Sequence, residues 1–292
     1  MPLGYEGYVE VDDNVCLCNS ASVPNQEMPI ESAAGYGGQI KTPVDEIGVR
    51  SSRVYDWPTL DGSVEVDLNV DFWTGVIGPW ILDRQTAKKV EVYPRYTSSQ
   101  VYQNCFWSSI SLAAAEGGST TCSLAFAALD VGTFEIGDCY LNNVLGQVDG
   151  FKTALDTGGI IEALNCSSDT VPIPYWRTTV DADGVLDGII SWSLEFSQEV
   201  VKFFLCEANS TVQEPGYLAV GPMTVSFNYD RVPLQGAFSI PDTVASLVVS
   251  LAGSTMECAD LRIDSKEDAI RDGGSIVPAT ATYAVFELVK YT

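Results

Sequence analysis

Period two dominates the hydrophobic pattern of this chain. In Val64–Phe72 (VEVDLNVDF) the residues Val64, Val66, Leu68, Val70 and Phe72 fall on one face, with Glu65, Asp67, Asn69 and Asp71 on the other. A strand with one packed and one wet face reads this way. The same alternation runs through Ser191–Gln198 (SWSLEFSQ), Met223–Asp230 (MTVSFNYD) and Cys122–Leu129 (CSLAFAAL). Further strands are predicted at Gly7–Val11, Val15–Cys18, Lys89–Tyr93, Ser246–Leu251 and Thr282–Tyr291, with Gly, Pro, Asn and Asp clusters as turns between them. Helical signals are few. Phe72–Arg84 (FWTGVIGPWILDR) predicts a short helix that Gly75, Gly78 and Pro79 cap or divide, and Ala259–Arg271 predicts one or two exposed turns. The expected fold is mainly β.

Length and internal similarity suggest two domains. The chain has 292 residues, enough for two units of about 100–150 residues. Ser109–Glu116 aligns with Ser191–Gln198, and Ser123–Phe126 (SLAF) with Thr224–Phe227 (TVSF). Pro94–Ser99 loosely matches Pro174–Thr179. The expected organisation is therefore a first β-domain over 1–150 and a second over 151–292, a possible repeat of the first, with the boundary in Gly137–Ser168. Between predicted strands, Gln26–Tyr55 is a long Gly- and Pro-bearing connection without periodicity, which calls for a role of its own.

Charge narrows the chemistry. There are 39 Asp+Glu against 15 Lys+Arg, a formal net charge of −24, spread evenly over both halves. A binder that neutralises phosphates with cations is excluded, and an anionic membrane surface is disfavoured. The sequence has no histidine, which removes Ser-His-Asp and Cys-His nucleophiles and His-bearing zinc sites. Met1–Glu10 lacks the basic and apolar regions of a signal peptide. Val244–Ala252 is the longest apolar run, about half of what a membrane span needs. The expectation is a soluble protein made in the cytoplasm.

Candidate chemistry is thin. Carboxylate pairs such as Glu195 with Glu199, or Asp67 with Asp71, have the residue types a glycosidase needs, but acids are too abundant here for that to discriminate. Asp181-Ala182-Asp183-Gly184 with Asp187 loosely resembles the start of a calcium loop without its terminal glutamate, and reads as an acidic hairpin turn. Gly35–Gly38 lacks the Lys-Ser/Thr of a phosphate loop. Trp57 and Trp176 sit beside Pro-rich turns as open candidates for sugar stacking, whereas Trp192 belongs to a packed strand face. No enzyme, metal or cofactor is expected. The eight cysteines are Cys16, Cys18, Cys105, Cys122, Cys139, Cys166, Cys206 and Cys258. They read as buried small hydrophobes, with disulfides formed in an oxidising medium as the alternative. Cys16-Leu17-Cys18, taken as two thiols on opposite faces of a strand, is not expected to pair with itself.

The run from Tyr5-Glu6-Gly7 through GSVEVDLNVDFW, FWSSISLAAAEGG and TCSLAFAALD resembles a tail tube (major tail) protein of tailed bacteriophages, and Ile173–Ser197 with YLAVGPMTVSFNY is similar to virion proteins of that kind. The resemblance implies tandem β-sandwich or partial-barrel domains with at most one short helix each. It implies assembly with itself into rings, hexameric for a one-domain chain and trimeric for a two-domain chain, stacked into a channel for DNA. Sheath, baseplate and tail terminator proteins are the further partners it implies, and the virion tail, assembled in the host cytoplasm, is the location. Glu65, Asp67 and Asp71 are then the expected lumen lining, repelling the phosphates of passing DNA without binding them; the plain alternative is a solvated sheet face. Met1–Tyr8 and Gln26–Tyr55 would reach the neighbouring ring. Other readings are a carbohydrate-binding or adhesin-like β-sandwich, or another phage structural protein such as a tail terminator, baseplate or decoration component.

Overall fold

Alternation of wet and dry positions organises the computed structural model as the sequence predicts, and the chain is mainly β. The structure describes residues 7–12, 14–22, 30–32, 53–55, 60–93, 99–128, 130–134, 171–182, 188–204, 215–232, 240–267, 270–272 and 275–292. The expected boundary in Gly137–Ser168, the arm before Gly7, most of Gln26–Tyr55, and Trp57, Cys139, Cys166 and Cys206 lie outside them.

The first half supplies β1 (Gly7–Val11), β2 (Asn14–Ser22), the short pair β3 (Ile30–Ser32) and β4 (Arg53–Tyr55), and β5 (Leu60–Asp67). After a helical run come β6 (Lys88–Tyr93), β7 (Ser99–Ala115), β8 (Thr121–Ala128) and β9 (Asp130–Phe134). Strands β7, β6, β1, β2, β5 and β8 pair in that order, and β8 pairs back to β7, so six antiparallel strands close a barrel. Closure removes the exposed strand edges an open sheet would carry. Inside it lie Val9, Val11, Val64, Val66, Tyr102, Trp107, Ile110, Leu124 and Phe126, each at most 3% exposed.

Strand β5 ends earlier than the alternation suggests. Asn69 leaves the sheet with extended backbone, and its Oδ1 accepts the Phe72 N–H at 2.7 Å, starting a helix at Val70. Val70 and Asp71 therefore belong to a helical first turn and not to a strand face. The helical run has three pieces: α1 (Val70–Phe72), a π-turn (Trp73–Ile77) and α2 (Gly78–Leu82). Pro79 has no N–H for a carbonyl one turn back, and the wider π-turn lies just ahead of it. Phe72, Trp73, Val76, Ile77, Trp80 and Ile81 are buried at helical spacing against the barrel core. Trp107 Nε1 donates to the Trp80 carbonyl at 3.0 Å, fixing the helix to β7.

The second half supplies β10 (Thr178–Ala182), β11 (Ile189–Phe204), β12 (Pro215–Arg231), β13 (Thr243–Leu251), β14 (Ser254–Glu267), the short β15 (Ile270–Asp272) and β16 (Ser275–Val277), and β17 (Ala279–Tyr291). Ala259–Arg271 is thus strand over most of its length, correcting the expectation of exposed helical turns. Its outer positions are charged and its inner ones apolar only near Leu261 and Ile263, so the period is hidden. The sheet continues from β7 through β11, β12, β17, β14 and β13 to β10.

Segments 109–116 and 191–198, aligned as repeats in the sequence, lie side by side and pair antiparallel, with Leu112 opposite Leu194. A different correspondence runs through the ladders. Cys18 opposes Val66, then one residue is skipped and Ser20 opposes Glu65; Ile189 opposes Arg231, then Ser191 opposes Asp230 after the same skip. Trp107 opposes Phe126 and, past a bulge, Ser109 opposes Ala125; Ile263 opposes Tyr283 and Ser265 opposes Thr282. Asn104 and Asp260, each three residues before its bulge, have φ of 53° and 50°. By these bulges β2, β5, β7 and β8 line up with β11, β12, β14 and β17 in chain order, and β6 with β13; the outer strands differ, β1 pairing with both β2 and β6 and β10 with β13 alone.

The halves are locked together beyond the β7–β11 ladder. Gln198 Nε2 donates to the Trp107 carbonyl at 2.6 Å and Arg84 to the Gly221 carbonyl at 2.8 Å. Tyr291 meets Trp73 edge-on with ring centroids 5.2 Å apart. Ile173 is buried where its segment is threaded between Leu68 and Thr120 by three backbone hydrogen bonds of 2.7–2.9 Å.

Candidate functional site

The strongest candidate is a surface: the outward face of the sheet formed by β2, β5, β8, β7, β11, β12 and β17. Side chains alternate along each strand, so the buried inner set leaves an outer set of Ser63, Glu65 and Asp67 on β5, and Ser123 and Ala125 on β8. Ser109, Ser111 and Ala113 follow on β7, then Ser191, Ser193, Glu195 and Ser197 on β11. Thr224, Ser226, Asn228 and Asp230 come from β12, and Thr280, Thr282 and Ala284 from β17. All of these are exposed or half-buried. Segments 17–22, 60–67, 109–115, 121–128, 191–197, 223–230 and 280–285 contain no Lys or Arg. Over these segments the face is small, polar and anionic; on the adjoining β14, Arg262 stands opposite Ala284 and is ion-paired with Asp260 at 3.1 Å.

Two shallow open hollows lie on it. One, of about 420 Å³, is floored where Ala113, Ser191, Ser193, Asn228, Asp230 and Thr282 meet across the joint of the two halves. The other, of about 400 Å³, lies over Ser20, Ser63, Glu65, Ser109 and Ser123. Small side chains leave this relief; a Lys or Phe at any of these positions would fill it.

The carboxylates are held by hydroxyl and amide donors. Ser20 Oγ donates to Glu65 Oε2 at 3.4 Å, and Ser191 Oγ to Asp230 Oδ2 at 2.6 Å. Ser20 and Ser191 occupy matching places just past the repeated bulge, and Glu65 and Asp230 are the residues they oppose. Each half thus presents one Ser–carboxylate pair at the same place in its ladder. Asp67 Oδ1 accepts from Asn19 Nδ2 at 2.9 Å and from Ser119 Oγ at 3.0 Å. Asn228 Nδ2 donates to Ser193 Oγ at 3.1 Å.

Of the acids singled out in the sequence, Glu65 and Asp67 share this face. Asp71 does not: it is exposed in the first helical turn, beside the helix N-terminus. Ser20, Ser119, Ser191, Glu195 and Asp230 were not singled out as lining residues. The alternation of MTVSFNYD held the signal for Asp230, because it puts Thr224, Ser226, Asn228 and Asp230 on one polar face. Their partners come from strands far away in the chain.

Among the described residues no group of three or more His, Cys, Asp or Glu could hold a metal ion; of the calcium-like turn only Asp181 and Ala182 are described. Cys16, Cys18, Cys105, Cys122 and Cys258 are free thiols, all buried. Cys16 and Cys18, two apart on a strand, share the inner face of β2 and do not point to opposite faces. Burial pushes Cys16 and Cys258 up to about 12 and Cys18 to about 11, and it raises Cys105 and Cys122 as well. Thiols so protonated are poor nucleophiles. Trp192 is packed, its Nε1 3.3 Å from Thr178 Oγ1, while Trp176 is 77% exposed on a 3₁₀ turn (Tyr175–Arg177). No helix among the described residues is long and apolar enough to cross a membrane. Neither a protein-family model nor a curated protein matches this sequence.

Proposed function

We propose that this chain is a structural virion protein, a tail tube subunit that polymerises into stacked rings around a channel for DNA. One observation carries the reading: a stretch of sheet running through both halves, segments 17–22, 60–67, 109–115, 121–128, 191–197, 223–230 and 280–285, whose outer face bears carboxylates and no Lys or Arg, with the Ser–carboxylate pairs Ser20–Glu65 and Ser191–Asp230 at matching places. A wall that conducts a polyanion must not hold it. Carboxylates repel phosphates over roughly 8 Å at physiological ionic strength, and the absence of Lys and Arg leaves no point of counterion-releasing contact. Serine and threonine keep such a wall wet and smooth. A closed barrel joined edge to edge with a second sheet is a rigid ring segment. In this reading the partners are other copies of the chain, with sheath, baseplate and tail terminator proteins at the ends and surface of the tube. It works in the phage tail after assembly in the host cytoplasm, and it needs neither catalysis nor cofactor.

Negative-stain electron microscopy of the concentrated protein, beside a sizing column, tests this. Rings or hollow tubes with a channel of about 30–50 Å, roomier than the ~20 Å of a DNA duplex, are expected. A monomer at every concentration that retains glycans on an affinity array would transfer the assignment to a carbohydrate-binding module. Exposed Trp176 is the stacking platform such a module would use.

A further inference from the structure

The ladder inside one chain specifies how two chains join. The β7–β11 contact is heterologous: an edge of the first unit meets a different edge of the second, with Ser191 opposite Ala115 and Trp192 opposite Ala114. Heterologous contacts propagate, because each unit keeps a copy of the edge its neighbour used. In the strand-for-strand match β7 corresponds to β14 and β11 to β2. The β14–β17 and β15–β16 pairs lie on one register, with Ser265 opposite Thr282, Glu267 opposite Thr280 and Ile270 opposite Val277. Ile270 and Arg271 therefore stand where Ala114 and Ala115 stand in the first unit, and Ala21 and Ser20 stand where Trp192 and Ser191 stand in the second.

We infer that Ser20 and Ala21 of one copy pair antiparallel with Arg271 and Ile270 of a second copy, repeating between chains the β7–β11 ladder, with Ser20 opposite Arg271 and Ala21 opposite Ile270. Two further observations favour this partner. Among the described residues Ser20–Ser22 is paired on one side only, with β5, and β15 only with β16. Ala21 points to the side where its counterpart Trp192 is 3% exposed beneath the joint, yet Ala21 itself is exposed. Among the described residues the end of β2 is a covered position without its cover. An unpaired strand edge left open in this way is a template for another strand, and the pairing extends the carboxylate face from chain to chain.

This inference rests on the self-assembly reading, and its test separates the two. A chain with Ser20→Cys and Arg271→Cys is assembled and oxidised. A second chain with Ser191→Cys and Ala115→Cys serves as the control that must close within one polypeptide. Directly opposed antiparallel positions have Cα atoms about 4.5–5.5 Å apart, inside the Cα separation a disulfide spans. The expected result is a reducible ladder of dimers, trimers and larger species for the first pair, and a monomeric band of altered mobility for the second. Hydrogen exchange on the unsubstituted protein is the parallel measurement: amides of Ser20, Ala21, Ile270 and Arg271 should slow at least tenfold on assembly. Assemblies that form with no cross-link and unchanged exchange at these strands overturn the joint and leave the tube reading standing. A protein that never assembles overturns both.

Discussion

At the scale of single residues, two features decide how firmly the scaffold holds. Gly78 is one. An added Cβ there would lie 2.4 Å from Cζ of Tyr291, so the helix approaches the C-terminal strand only because the position has no side chain. Gly78→Ala should cost about 1–3 kcal/mol, as overpacking does. Urea titrations of G78A, Y291A and the double variant check this; the double variant should recover part of the loss if that contact is the cause. The buried thiols are the other. A thiol whose folded pKa is raised contributes stability that is complete below its unfolded value near 9 and is lost as pH rises toward the folded value. For Cys16 and Cys258 that window runs from about 9 to about 12. Unfolding free energy measured between pH 8 and 10.5 should therefore fall, and Cys258→Ala should flatten that fall by up to about 1.4 kcal/mol per pH unit above 9. An unchanged slope would mean that the site admits water. The same burial predicts that these five thiols stay unlabelled by a disulfide reagent at pH 8 until denaturant is added.

At the scale of elements, the end of β5 shows where sequence periodicity stops being decisive. Val64 to Asp67 alternate as a strand and form one. Leu68, Val70 and Phe72 continue the alternation, but Phe72, Trp73, Val76, Ile77, Trp80 and Ile81 satisfy a helical period over the same stretch, and Asn69 settles the competition by capping. Its side chain works twice: Oδ1 caps the helix and Nδ2 donates to the Val15 carbonyl at 2.9 Å. Asn69→Ala should cost about 2–3 kcal/mol, from a lost cap and an orphaned buried carbonyl. Asn69→Asp should recover the cap and not the Val15 bond, and thermal melts of the two variants distinguish these contributions. The strands were legible because one face is dry; Ser254–Glu267 was not, because its last turns are wet on both faces. The acidic face was half legible: Glu65 and Asp67 stand in one alternating segment, whereas Asp230 is joined to Ser191 by a ladder spanning 39 residues. The matching of units could not be read, since equivalent inner positions hold unrelated side chains, Val64 for Tyr229 and Gly62 for Phe227.

At the scale of the whole molecule, a net charge of −24 opposes any assembly of identical chains. Joining copies edge to edge concentrates that repulsion on the side where Glu65, Asp67, Glu195 and Asp230 gather with no cation among them, and inside a ring those carboxylates face one another across water. Serine partners hold two of them at fixed places, so they cannot swing away to relieve it. Salt relieves it instead: the screening length falls from about 10 Å at 0.1 M to about 3 Å at 1 M. The critical concentration for assembly, followed by sedimentation, should therefore drop severalfold between 0.05 and 0.5 M NaCl. Glu65→Gln with Asp230→Asn removes two of the facing charges per chain and keeps side chains able to accept from Ser20 and Ser191. That variant should assemble at lower protein concentration in 0.05 M NaCl than the parent and show a shallower salt dependence. Neutralising two acids of the helical run, Asp71 and Asp83, which lie away from this face, changes the net charge equally and is the control. If both double variants shift assembly alike, only net charge matters and the face is an ordinary wet surface; a larger shift from Glu65 and Asp230 marks the side that copies turn toward one another.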